Sequence, residues 1–389
     1  MCVPTQTLLS KGVIVIGLSK IYGRSGLAAL REEFVPAADN GFFGPDSVTW
    51  KVWSYPTSIT VGFVRAVTIE QLDPNLNAAV EDTGDVRSRT RTRYERTVRY
   101  FALVAFGDTA TTTKAADVLV KVHSKSIGTD PVTRGRYDAN NPALQLWIHM
   151  TAWHSILYCY ETYGPGRLSE DEELQYWAEC ARAAECQTID PADVPRTRAD
   201  VAAYFESWRP HLAASEHAQS MTEFILGTEF IFPETLPAWT EPVQKAIGKL
   251  VGKAVVATYP EYIRKLFDIR QPHLEDLLLR VVLRPVFAAM HHDPALYTTV
   301  AKFFIPTTVP IVGPVLVGLP AQSPRTMTPR EAQRRYGFDT PAQAHPELRR
   351  RQAARVFGQG IAPSDEGLIE SEQYIGGRAL KVPGAPKAG

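Results

Sequence analysis

The sequence lacks most of what would assign it to a common enzyme class. Its 389 residues contain no GxGxxG, no P-loop, no GxSxG and no HExxH. The usual signatures of dinucleotide, triphosphate, esterase and zinc-protease chemistry are therefore missing. Cysteine is scarce: Cys2, Cys159, Cys180 and Cys186 form no CxxC pair and no regular spacing, which excludes a disulfide framework. With no signal peptide evident, the four read as reduced, mostly buried thiols of a cytoplasmic protein. There is no surplus of charge, since 42 basic residues balance 42 acidic ones. Long-range attraction to nucleic acid is therefore not a property of the whole chain, and no nucleic-acid partner is expected. Asp and Glu are scattered, and no pair is singled out for acid–base work. Alternating apolar–polar runs are few, so little strand is expected and the chain reads as all-α.

Long hydrophobic runs are scarce as well. The stretch from Leu8 to Leu18 is interrupted by Lys11 and followed by Lys20 and Arg24, too short for a spanning helix and without a cleavage site. The stretch from Phe303 to Pro320 is uncharged but carries Pro306, Pro310 and Pro314. It reads as a segment that closes the core or, alternatively, as a greasy surface for peripheral membrane contact.

What is present is a succession of helix signals. Gly44-Pro45 marks a turn, and Asp46 or Ser47 can cap a helix carrying Trp50 and Trp53 on one face. Ile59 to Leu72 is the next helix, stopped by Asp73-Pro74, and Asn75 to Arg87 reads as a loop. Six arginines (87, 89, 91, 93, 96 and 99) then fall within thirteen residues. As a helix, Arg89, Arg93, Arg96 and Tyr100 share one stripe, which suits a solvated basic face, a nucleic-acid stripe or an inward anion anchor. Thr111 to Ile127 keeps an i, i+3, i+4 rhythm that puts His123 on its apolar stripe behind small residues. A satisfied core histidine is the ordinary alternative there.

Ala143 to Tyr160 is apolar nearly all round and belongs in the middle of a domain. It carries Trp147, His149, Trp153 and His154, and the two histidines are five apart, too far round the helix to share one metal. Ser169 to Glu172 is a capping box, and Thr197 to Asp200 repeats the signal. Further helices are predicted over Ala218–Leu226, Pro242–Val255, Tyr259–Phe267 and Leu277–Met290, with Pro285 inside the last. From Ala321 apolar density drops, and apart from a short helix near Pro346–Phe357 the tail reads as peripheral and partly disordered.

Several of these pieces recur in one known order. Gly-Phe-Phe-Gly-Pro-Asp-Ser-Val-Thr-Trp from Gly41, Arg-x-x-Arg-Thr at 93–97, Val-x-x-His-x-x-x-x-Gly at 120–128 and Gly-Arg-Tyr-Asp-Ala-Asn-Asn-Pro at 135–142 resemble the MpaB/rubber-oxygenase catalytic domain. So do the Trp147-Ile148-His149 helix and the two capped helix starts that follow. The resemblance covers Gly41 to Leu212. It implies an all-α domain enclosing a b-type haem, with histidine as the proximal iron ligand, that uses dioxygen on an apolar, isoprenoid or lipid-like molecule.

Carried over by position, the iron ligand is His123, with His149 and His154 as alternatives on a buried helix. The distal residues are Arg93, Arg96 and Thr97; Arg93, Trp147, His149 and His154 complete the expected haem surroundings. In the latex-clearing branch the middle distal position is a lysine that can close over iron. Arg96 stands there in this chain, and its guanidinium does not deprotonate readily. The domain expectation is a helical extension over 1–40, the oxygenase-like domain over 41–320 and a tail over 321–389. A helical haem- or lipid-binding protein without turnover is the second functional reading.

Overall fold

The structure is a computed structural model that describes residues 24–76, 90–130, 134–233 and 236–365. The fold is all-α. The expected Asn75–Arg87 loop falls almost wholly outside the described residues, as do the Leu8–Leu18 run and the chain beyond Asp365.

After α1 (Arg24–Glu32), helices begin where the sequence supplies caps. Ser47 caps α2 (Val48–Trp53) by accepting from the Trp50 amide. Asn141 caps α6 (Pro142–Tyr163), with Pro142 at its first position. Both predicted capping boxes form, Ser169 with Glu172 at the start of α7 (Glu170–Ala184) and Thr197 with Asp200 at the start of α8 (Arg198–Trp208). Each such cap is worth about 1 kcal/mol. The Ile59–Leu72 helix opens instead as a π-helical turn, Ser58–Gly62, before α3 (Phe63–Glu70).

α6 is the axis of the domain: 15 of its 22 residues are buried, as expected for a helix apolar on every side. Trp153 stands at its middle, with ring centroids 4.9 Å from Trp53 on α2 and 5.1 Å from Tyr176 on α7. Trp50 and Trp53 both pack inward, donating their indole N–H groups to the Ala105 carbonyl at 2.8 Å and the Tyr176 hydroxyl at 3.2 Å.

The arginine-rich helix α4 spans Thr90–Phe106 and turns at Gly107-Asp108 into α5 (Thr109–His123). α5 stops four residues short of the predicted Ile127. Ser124 bonds back to the carbonyls of Val120 and Lys121, a local bond that competes with helix continuation. Ile127–Thr129 then pairs antiparallel with Arg136–Asp138, giving strands β1 and β2. Gly128 is required there, since a Cβ would strike the Tyr137 ring.

The second half of the domain contains α9 (Glu216–Gly227), α10 (Glu241–Val256), α11 (Glu261–Leu266) and α12 (His273–His292), the last holding Pro285 on its exposed side. Gly248 and Gly252 let α10 meet α9 backbone to backbone, because a Cβ at either would collide with the Gly227 or Leu226 carbonyl. The uncharged Phe303–Pro320 segment forms the end of α13 (Pro294–Phe304) and α14 (Val309–Leu316). Ile305, Val309, Val312 and Val317 are buried, and Gly313 meets the Phe34 ring.

Between Ala321 and Asp365 the chain packs on the domain. In α15 (Pro329–Tyr336) Ala332 is fully buried and Gln333 donates to the Glu185 carbonyl. The Tyr336 hydroxyl lies 2.9 Å from that of Thr109, and His345, just before α16 (Pro346–Ala353), lies 2.5 Å from Asp117 on α5. Polar contacts do this docking, which is why low apolar density does not announce it.

Candidate functional site

α4 and α5 touch at their turn, where Thr112 donates to the Leu103 carbonyl at 2.9 Å. Their far ends are tethered to different parts of the domain. On α4, the Tyr94 hydroxyl donates to the Ile59 carbonyl at 3.2 Å and its ring meets Phe230 edge-on. On α5, Asn140 donates to the Val120 carbonyl and Gln145 reaches His123. Arg93 and His123 therefore each lie about 22 Å along their helices from the shared turn, at a rise of about 1.5 Å per residue.

The α4 end is crowded with guanidinium groups, three of which have a buried nitrogen without a described partner. Arg91 Nη1, Arg96 Nε and Arg99 Nε are buried and donate to no described group. Burial, and then the charge of neighbouring Arg96, holds the pKa of Arg93 below the usual arginine value. Burial does the same to Arg99. Thr97 donates its hydroxyl to the Arg93 carbonyl at 3.0 Å, and Glu95 pairs with Arg91 at 2.9 Å. Unpaired buried donors are costly and uncommon in native proteins, so three on one helix mark a place where an acceptor belongs.

His123, the last residue of α5, is half-buried. Burial pushes its pKa down to about 4, although the nearby Ala139 carbonyl pulls the other way, so the imidazole is neutral at pH 7. Gln145 Nε2 lies 2.9 Å from His123 Nδ1 and donates to the Ala139 carbonyl. Nε2 of His123 has no hydrogen-bond partner among the described residues.

From Gln145 a chain of side chains runs inward. Gln187 Nε2 donates to Gln145 Oε1 at 2.7 Å, and His149 Nδ1 donates to Gln187 Oε1 at 2.8 Å. His149 Nε2 lies 2.8 Å from the Cys180 carbonyl and 3.4 Å from its Sγ. Both nitrogens of His149 are thus taken by the protein, and burial holds its pKa at about 4.

The structure brings His123, Gln145, Gln187 and His149 into one network and sets the remaining expected residues elsewhere. Trp147 and His154, seven apart on α6, face α8. Trp147 stacks on Trp208 at 5.5 Å and meets Phe205 edge-on, its indole nitrogen buried without a described partner. His154 packs 4.8 Å from the Phe205 ring, with Nδ1 3.5 Å from Arg65. Burial, followed by the charges of Arg65 and Arg198, keeps His154 well below the ordinary histidine pKa. It borders a separate recess of about 90 Å³ with Arg198 and Trp177.

Three functional candidates escaped the sequence reading. Gln145 and Gln187 gave no signal, because amides carry no motif. Glu70 did give one: it is a carboxyl one turn beyond Ala66 and Val67 on an apolar helix. It is buried, bonds through its side chain to no described residue, and burial lifts its pKa to about 8. Among the described residues no three His, Cys, Asp or Glu side chains converge as a metal cluster.

The domain is all-α, with a neutral histidine at the end of α5 and buried, unpartnered guanidinium nitrogens on α4. The sequence profile of the ER-bound oxygenase mpaB/B'/rubber oxygenase catalytic domain matches residues 50–292. The chain belongs to that family, which is one of oxygenases. The matched region reaches 80 residues past the Leu212 boundary visible from motifs alone and takes in α9 to α12. Comparison with curated proteins and with solved structures gives no match.

Proposed function

We propose that this protein is a haem b-dependent oxygenase that acts with dioxygen on an apolar, isoprenoid or lipid-like small molecule. One observation carries the reading. His123 keeps one nitrogen engaged and the other bare, at the end of a helix paired with one whose buried guanidinium nitrogens have no described partner.

The residues present fit a haem. Iron takes a single histidine on its proximal side, and His123 supplies one neutral ring. Haem carboxylates take guanidinium partners, and Arg91, Arg96 and Arg99 hold buried N–H groups able to provide them. When bound, haem supplies the activation of dioxygen.

The chain's own residues do the rest. Gln145, anchored through Gln187 to His149, holds the His123 ring at Nδ1 and limits its rotation, with Nε2 left without a described partner. Arg93 stays cationic and, half-buried, presents a donor where water is partly excluded. Thr97 can swing its hydroxyl from the Arg93 carbonyl toward a substrate or ligand oxygen. Arg96 offers N–H groups and no acceptor, and so acts as a donor rather than as a ligand. His149, with both nitrogens engaged, serves as the anchor of the network.

The test is a visible spectrum of the purified protein made with ample haem supply, followed by dioxygen uptake with an isoprenoid alkene. A Soret band and alkene-dependent uptake are expected. A colourless protein overturns the reading, and a red protein that never turns over reduces it to haem binding.

A further inference from the structure

Among the described residues, exposed apolar surface is concentrated in one place. Six of the exposed large aliphatic side chains lie on α12: Leu274, Leu277, Leu278, Val281, Val282 and Val286, all between 48% and 68% exposed. They follow the i, i+3, i+4 rhythm of a helix face. The opposite face of the same helix, Leu279, Leu283 and Phe287, is buried in the core, so α12 is apolar on both sides. Four more stand on and just before α10: Trp239, Val243, Ile247 and Leu250. Trp239 is 79% exposed. The two helices are tied together by the Lys253–Glu275 ion pair and by Gln271 donating to the Lys253 carbonyl at 3.0 Å. Leu250 and Leu278 each lie one helical turn from that junction.

Apolar patches on water-facing monomers ordinarily cover about 300–600 Å². Ten half-exposed side chains on two joined helices are more than chance exposure. Internal repacking does not relieve them, because Gly248 and Gly252 hold α10 against the α9 backbone and fix its rotation.

We infer that this α10–α12 face is a membrane-surface contact that lies on an anionic bilayer without crossing it. Charge complementarity selects the occupant. Lys245, Lys249 and Lys253 form a row at i, i+4, i+8 beside the α10 apolar stripe, against a single acid, Glu241, on that helix. Lys245 pairs with Glu241 and Lys253 with Glu275 at exposed positions, and Lys249 makes no ion pair among the described residues. Exposed pairs hold their lysines weakly, leaving the row available to lipid headgroups. An amphipathic surface with lysines flanking aliphatic side chains and a tryptophan at its edge is the composition of an interfacial helix. Among the described residues no helix is long and apolar enough to cross a membrane. The inference is independent of the haem reading.

The test is co-sedimentation of the full chain with phosphatidylcholine vesicles, with and without phosphatidylserine. Wild type should sediment with the mixed vesicles and weakly with neutral ones. Leu277→Glu/Val281→Glu should lose at least about tenfold in binding with an unchanged melting temperature. Lys245→Glu/Lys249→Glu should lose the preference for phosphatidylserine. Leu174→Glu, an exposed leucine on α7, should bind as wild type. Absence of binding to either vesicle overturns the inference, as does binding that survives Leu277→Glu/Val281→Glu. A dimer in gel filtration that this pair of substitutions dissociates, without vesicle binding, assigns the face to a second copy and also overturns it.

Discussion

His123 and His149 terminate the same chain of hydrogen bonds but end in opposite ways. Both are neutral at pH 7 for one reason, burial, and both are pushed to about 4. His149 spends each nitrogen on the protein, Nδ1 donating to Gln187 and Nε2 accepting from the Cys180 thiol, and lies 1% exposed in the core. His123 spends only Nδ1 and sits at a helix end, with Nε2 meeting no described partner. Burial and pKa do not separate a structural histidine from a ligand here; the count of unspent nitrogens does.

The sharpest way to break this contrast is to remove each ring. His123→Ala should abolish haem retention while helical circular dichroism persists. His149→Ala should keep haem in the folded fraction but destabilise the protein by about 2–4 kcal/mol, from a cavity and two stranded partners. Soret absorbance per protein and chemical denaturation measure the two effects, and an exchange of these outcomes would refute the assignment of His123.

A smaller effect is expected on the α4 side. Arg93→Ala and Thr97→Ala should leave haem content near normal and lower turnover by on the order of 10²-fold each, the usual loss for one positioned donor. Turnover at the wild-type level in both would remove them from the distal side.

The smallest effect is a pH slope. His149 has a folded pKa of about 4 and an unfolded one near 6.5, so from pH 6.5 down to 4 the unfolded chain binds more protons. Stability should fall on acidification across that window, by up to about 1.4 kcal/mol per pH unit. Glu70 acts in the other direction: its raised pKa means that the stability it lends below pH 4.5 is lost as pH rises toward 8. Subtracting the denaturation profile of His149→Asn from that of wild type isolates the histidine. A difference that does not vary between pH 4 and 6.5 would contradict the burial argument.

Much of the helical frame was legible from caps and periodicity, because capping boxes such as Ser169–Glu172 are local chemistry that tertiary context rarely overrules. The end of α5 was not. Its apolar rhythm continues to Ile127, while the stop depends on Ser124 folding back on its own helix and on Gly128 admitting the Tyr137 ring. The Arg93–Thr97 and His123 motifs were legible as residues, but the Gln145–Gln187 link between His123 and His149 was not, since it joins side chains 42 positions apart that have no shared pattern. The outward stripe of α12 was hidden because apolar periodicity shows that a face is greasy without showing which way it points.

The glycine contact between α9 and α10 also constrains how this half of the chain can go wrong. A contact built on two glycines four residues apart is a register mark. Sliding α10 by one turn would bring Gln244 or Val256 to a place with room only for a hydrogen atom. Helices that meet through large side chains can settle into neighbouring registers at modest cost; this pair has one. The alignment of α10 with α12, and with it the position of the lysine row, is therefore set by two missing methyl groups on the opposite side of the helix.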